Sequence, residues 1–143
     1  MCITFKILMI KSTTKLRVRY AETDQMGFVY YGNYAQYFEV ARVEMLRELG
    51  FSYNSLEKSG ILLPVLDFRI RYKQPALYDD LLTIETVISE IPSTRITFDY
   101  AIFNSSGVEL NEASTTLVFV NKESGRPTRI PEDLLSVMRT YFD

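Results

Sequence analysis

Asp24 is the side chain in this sequence best placed to do chemistry. It lies within Tyr20 to Tyr34, YAETDQMGFVYYGNY, where it precedes a glycine, an aromatic and aliphatic run, and the opening turn of a helix. A buried helix N-terminus presents backbone N–H groups without intrahelical acceptors, together with the positive end of the helix dipole. A carboxylate held beside it can attack a carbonyl carbon, or activate water against it, while those N–H groups receive the carbonyl oxygen. This is acyl-transfer chemistry built without histidine, and the chain contains no histidine.

A thiolate is one leaving group compatible with such a site. Free thiols ionise near pKa ~8.5, so the departing sulfur needs little protonation, unlike an amide nitrogen. A carboxylate and an oxyanion site then suffice, with Asp24 as nucleophile through a mixed anhydride or as general base to water. Gly27 permits a tight turn or a close backbone approach after Asp24. Glu22, two residues before it, is expected on the exposed side of the loop. Serine hydrolysis has no support: there is no G-x-S-x-G and no histidine to complete a triad. Ser114-Thr115-Thr116 reads as strand.

The elements that must hold Asp24 follow from periodicity. Leu16 to Tyr20 alternates apolar and basic residues, as a half-buried strand does. Asn33 is placed as an N-cap with Gln36 completing a capping-box pair. Tyr34, Phe38, Ala41, Met45 and Leu49 then fall on one helical face, opposite Glu39, Glu44, Arg47 and Glu48, and Gly50 is placed to stop the helix. Phe51 to Gly60 reads as a turn and a short helix. The period then becomes two: Leu66, Phe68, Ile70 and Tyr72 alternate with charged residues as a strand buried on one face; Leu82, Ile84, Thr86 and Ile88, then Ile96, Phe98, Tyr100 and Ile102 alternate next; and a strand runs over Ala113 to Val120. Pro75 with Asp79-Asp80, Ile91-Pro92-Ser93, and Asn104-Ser105-Ser106-Gly107 mark the turns. Asp133 to Tyr141 reads as a terminal helix after the loop Lys122 to Pro131. Short turns require antiparallel neighbours, and the long helix has only the sheet's apolar face to bury against. The expected class is α+β: an antiparallel sheet of about five strands curled around one long central helix.

Composition narrows the partners. At 143 residues and 47% hydrophobic, the chain supports one folded domain. A net charge of −2 gives no footing for nonspecific nucleic-acid binding. A lone cysteine, Cys2, excludes an internal disulfide and a multi-cysteine zinc site. A cytoplasmic setting is expected, with no metal and no resident cofactor. The opening MCITFKILMI is broken by Lys6 and lacks a cleavage pattern, so residues 1–14 read as an extension or an upstream start, with Met9 a candidate initiator and residues 15–143 as the domain. No run approaches a membrane span.

Tyr20, Thr23-Asp24, Gly27, Val29-Tyr30, Asn33-Tyr34, Phe38-Glu39 and Arg42 together resemble the signature of the 4-hydroxybenzoyl-CoA thioesterase-like hotdog family. The chain is also similar to the acyl-CoA thioesterases associated with the Tol–Pal system. The order of elements matches from about Lys15 to Tyr141, and Gly125 to Pro131 (GRPTRIP) resembles the segment closing such domains. The resemblance implies a hotdog fold that hydrolyses acyl-CoA, with coenzyme A as part of the substrate. It gives Asp24 the catalytic carboxylate and the backbone N–H of Tyr31 the carbonyl-polarising role. The Tol–Pal-associated relatives commonly carry histidine where this chain has Tyr31, which leaves the backbone role but no imidazole. It also implies a homodimer or homotetramer with sheets joined edge to edge and sites between protomers; exposed sheet edges in a lone domain point the same way. Tyr30, Tyr34 and Phe38 are candidates to line an acyl pocket, with Asn33 at the helix start beside them. Arg126 and Arg129 of the closing loop are candidates for the phosphates of coenzyme A, because guanidinium matches phosphate geometry; Arg71, Lys73 and Arg95 are weaker ones. The rival readings are an acyl-carrier-protein thioesterase, a hotdog dehydratase, which typically relies on a histidine, and an acyl-CoA binding module without turnover.

Overall fold

The computed structural model describes residues 8–142. Along them run β1 (Ile10–Arg17), α1 (Tyr34–Glu48), α2 (Tyr53–Lys58), β2 (Ile61–Leu62), β3 (Val65–Tyr72), β4 (Leu81–Ile88), β5 (Arg95–Phe103), β6 (Glu109–Val118), β7 (Val120–Asn121) and α3 (Glu132–Arg139). Five strands make one antiparallel sheet in the order β1–β4–β5–β6–β3, and β2 pairs with β7. The period-two segments account for this sheet. In β5, Ile96, Phe98, Tyr100 and Ile102 are buried while Arg95, Thr97 and Asp99 face solvent.

α1 lies across the buried face. Tyr34, Phe38, Ala41, Met45 and Leu49 are all buried, as the spacing predicts, and Tyr37, Arg42 and Leu46 join them. The ring of Phe38 meets Tyr100 of β5 at 4.5 Å and Phe68 of β3 at 6.0 Å, which seats the helix over the middle of the sheet. Arg42 is buried too, its Nε donating to the Tyr53 hydroxyl at 2.8 Å. Gly50 ends the helix in a left-handed conformation, φ +90°. α3 closes the core with Leu134, Leu135 and Met138. No described helix is long and apolar enough to cross a membrane.

Four expectations need correcting. β1 begins at Ile10, not Leu16, so residues 10–14 of the expected extension are sheet, paired with Ile84 to Ile88. Its inward positions include Ser12, whose hydroxyl donates to Glu48 at 3.1 Å, and that polarity hides the strand from hydropathy. Cys2 lies outside the described residues. At the helix start, Asn33 is already helical and caps nothing; a 3-10 turn over Tyr31–Asn33 precedes α1, and extended Tyr30 is the residue before it. β6 starts four residues earlier than expected. Finally, β3 is not half buried. It is an edge of the sheet, with Leu66, Phe68 and Tyr72 at 52%, 38% and 50% exposure, and a bulge at Leu66 breaks its alternation.

Candidate active site

The Asp24 loop is a tight hairpin. Tyr30 donates its N–H to the Glu22 carbonyl at 2.9 Å, Thr23 and Val29 bridge, and Asp24 donates to Phe28 at 2.7 Å. Asp24 to Gly27 is therefore the tip, closed by the Gly27 N–H on the Asp24 carbonyl at 3.0 Å. Gly27 has φ +78°, and a Cβ there would meet nothing within 4 Å. The glycine is needed for the turn, not for close approach. Val29 donates to the Ala76 carbonyl and Phe28 bridges Leu77, which fastens the hairpin to the β3–β4 connection.

Asp24 is half-buried, with its two oxygens in different roles. Oδ1 accepts the N–H groups of Met26 at 2.9 Å and Phe28 at 3.2 Å. Oδ2 has no partner among the described residues, so the carboxylate is held by one oxygen and free at the other. The N–H groups of Tyr31 and Gly32, at the head of the 3-10 turn, likewise meet no acceptor among the described residues. Glu22 and Tyr30 form the base of the hairpin, and Asp24 lies two residues beyond it, ~7 Å along an extended chain.

Glu22 departs from expectation: it is buried, 7% exposed, not on the outer side of the loop. Its Oε1 accepts the Arg19 N–H at 2.8 Å and the Tyr37 hydroxyl at 3.1 Å, and Oε2 meets the Arg19 guanidinium at 3.2 Å. Its carbonyl also accepts from Asn33 Nδ2 at 2.9 Å. Burial alone would raise this carboxyl, but the bonds from Arg19 and Tyr37 outweigh it and hold the pKa below the usual value. The Tyr37 phenol is pushed up by burial and by the neighbouring Glu22 charge. One side chain thus ties the end of β1 to the first turns of the helix. Its signature was present as spacing: a glutamate three residues after Arg19 reaching back to the N–H that precedes a helical turn. Tyr37 was likewise readable, three residues after Tyr34 on the same face.

The other candidate residues divide. Tyr30 and Tyr31 are exposed at 50% and 65%, their rings 4.8 Å apart beside the free N–H groups. Tyr34 and Phe38 are core. The Tyr34 hydroxyl accepts the Ala76 N–H at 3.2 Å, and its ring meets Tyr37 and Tyr72. The cavity beside Asp24 is lined instead by Tyr20, Thr23, Gln25, Gly27 and Tyr78. Arg126 and Arg129 are exposed, but their loop is anchored by Ile130 on Ser93, beyond the Ile88 end of β4. Asp24 belongs to the Leu81 end, where Val18 bonds Asp80. Eight residues of strand, ~25 Å, separate the two ends within one chain. Lys73 is paired with Glu109 at 2.8 Å and Glu112 at 3.8 Å.

This hairpin before a helix on an antiparallel sheet has close counterparts. The sequence model of the thioesterase-like superfamily matches residues 18–138. The chain belongs to the thioesterase-like superfamily. YneP of Bacillus subtilis, a candidate acyl-CoA thioesterase by name, is 40% identical over 116 residues, 81% of this chain and 84% of that protein. The acyl-CoA thioester hydrolase YbgC of Escherichia coli O6:H1 is 34% identical over 121 residues, covering 85% and 90%. Among solved structures, a DHNA-CoA thioesterase from Staphylococcus aureus superposes with a TM-score of 0.80 at 39% identity, over 83% of this chain and 80% of that one. The resemblance to a hotdog thioesterase is borne out, and the enzyme class is thioester hydrolase.

Proposed function

We propose that this chain hydrolyses acyl-CoA thioesters to a free acid and coenzyme A, with Asp24 as the reacting carboxylate and the Tyr31 N–H as the oxyanion donor. The observation that carries the reading is the division of labour in Asp24. Two backbone N–H groups hold Oδ1, and Oδ2 is left free, one hairpin length from the unsatisfied N–H groups of Tyr31 and Gly32. The substrate's carbonyl oxygen takes those N–H groups, which stabilise the negative charge as the carbon becomes tetrahedral. In the direct route Oδ2 takes a proton from water as its oxygen bonds the carbonyl carbon, and the C–S bond then breaks to release the thiolate. In the covalent route Oδ2 itself bonds the carbon and the thiolate leaves. Water then opens the mixed anhydride. The named activities of YneP and YbgC support coenzyme A as the thiol.

The same reading includes a dimer. β3 offers an unpaired edge, and Val65, Leu66, Phe68 and Tyr72 expose apolar surface along it. An open apolar edge is a template for another strand, and a second copy of β3 matches it in length and polarity. Tyr72 packs on Tyr34 at 5.7 Å, and its hydroxyl is raised by burial and by nearby Tyr31, so this edge adjoins the helix N-terminus. A partner seated there would wall the site. The test is thiol release from a panel of acyl-CoA esters. Turnover by the wild type, abolished in Asp24→Asn, is expected. Full turnover by that variant overturns the role of Asp24, and a folded protein that binds esters without turnover overturns hydrolysis.

A further inference from the structure

An aromatic wall beside Asp24 has no role in that mechanism. Tyr20 and Tyr78 are 77% and 54% exposed, so both ring faces are accessible to a ligand. They meet edge to face, centroids 5.6 Å apart at 87°. With Asp24, Thr23, Gln25 and Gly27 they line a surface cavity of about 720 Å³, within the range of ligand sites.

The two rings are presented on rigid backbone. Tyr20 opens the 3-10 turn that Glu22 locks, and its carbonyl accepts both the N–H and the hydroxyl of Thr23. Tyr78 belongs to a turn in which Asp80 accepts the Leu77 N–H at 2.9 Å, and Asp79 holds a left-handed φ of +67°. A non-glycine residue in that region is strained, and strain of this kind persists where surrounding structure imposes it. The Arg17 guanidinium imposes it here, donating to the Asp79 carbonyl at 2.7 Å. Tyr78 in turn bonds the Gly27 carbonyl across to the hairpin tip.

We infer that Tyr20 and Tyr78 form a stacking site for a flat aromatic ring of the thioester substrate, beside Asp24. An edge-to-face pair leaves a ring face open to a third ring, and stacking on tyrosine requires no hydrogen-bond match. The ring has two sources: the adenine of coenzyme A or an aryl acyl group. This rests on the thioesterase reading, and the experiment separates the two.

Tyr20→Ala, Tyr78→Ala and the corresponding Phe variants are assayed with hexanoyl-CoA, benzoyl-CoA and the N-acetylcysteamine esters of the same two acids, which lack adenine. The expected result is about a ten-fold rise in KM for each Ala variant, with kcat little changed and the Phe variants near wild type. A rise confined to both CoA esters assigns the ring to adenine; a rise confined to both benzoyl esters assigns it to the acyl group. Unchanged KM with all four, or equal loss in Phe and Ala variants, overturns the stacking site. If the wild type cleaves none of them, the thioesterase reading fails, and the site is judged by binding alone. The chain has no tryptophan, so tyrosine emission reports on added adenosine 3′,5′-bisphosphate or benzoate. Weaker binding of either by Tyr20→Ala/Tyr78→Ala then supports the site, and equal binding of both overturns it.

Discussion

Replacing Glu22 with glutamine tests whether a buried carboxylate positions the site. Glutamine keeps a carbonyl oxygen for the Arg19 N–H and the Tyr37 hydroxyl, now bound at 2.8 and 3.1 Å, and turns an NH2 group toward the Arg19 guanidinium. The ion pair it loses is modest, ~1 kcal/mol or less, because the Arg19 side chain is 79% exposed. Two charge-assisted bonds become neutral and lose about half their strength, ~1 kcal/mol each. Relief from burying a charge offsets part of this, leaving a net loss of about 1–2 kcal/mol, or roughly 5 °C in Tm. The pH dependence has a definite sign. The folded pKa of Glu22 is depressed, so its contribution is full above the unfolded value of ~4.3 and disappears as pH falls through the folded value. Melting curves followed by circular dichroism should separate wild type and Glu22→Gln at pH 7 and converge at strongly acid pH. In thioester turnover at pH 7 the variant should lose about ten-fold in kcat, since it shifts the hairpin that carries Asp24. Equal Tm at pH 7, or a gap that persists undiminished in acid, refutes the argument.

Three further outcomes are expected. Asp24→Asn should fold, because its amide oxygen still accepts from Met26 and Phe28, and should lose at least 10³-fold in kcat measured by thiol release. Single turnover in ¹⁸O-water then bears on the route in the wild type: label in the Asp24 carboxylate marks an anhydride opened at the aspartyl carbon, and label only in the product acid fits either the base or an anhydride opened at the acyl carbon. Gly27→Ala should lower stability by about 1 kcal/mol in urea titration, since φ is +78°, while Gly27→Asn should cost less; equal stability of Gly27→Ala and wild type would contradict the left-handed turn. Leu66→Lys, on the open edge, should convert a wild-type dimer to monomer in sedimentation, and a wild type already monomeric at tens of micromolar would sink the β3 interface.

Much of this architecture follows from spacing alone. The helix face from Tyr34 to Leu49 and the inward set of β5 are set by one residue's relation to the next few, and hydropathy reports that relation directly. The failures have a different cause. Ser12 faces the core as a polar residue because Glu48, 36 positions away, accepts its hydroxyl. Asn33 has the chemistry of an N-cap but spends its amide on the Glu22 carbonyl. Glu22 looked solvated because its partners, Arg19 and Tyr37, face it only after the chain turns. In each case a polar side chain's place depends on a partner brought by the fold, which no local period encodes.

β3 is the instructive case, because beyond the bulge at Leu66 its alternation holds while its cover is absent. Leu66, Phe68, Ile70 and Tyr72 do alternate with charged residues, yet three of the four are exposed. Alternation states which side of a strand is apolar, not that this chain supplies the cover. The uncovered side runs past Tyr72 to Tyr34 and Tyr31, at the mouth of the helix N-terminus. A strand patterned for burial and left open beside the proposed site would be accounted for if the missing layer were the second copy proposed above. On that argument the site is complete only in the dimer, and dissociation should cost activity together with assembly. Leu66→Lys should then lose turnover in step with its loss of dimer, although Leu66 touches neither Asp24 nor the Tyr31 N–H. A monomeric variant with full kcat and unchanged KM would separate the edge from the site and leave the exposed face of β3 without a role in catalysis.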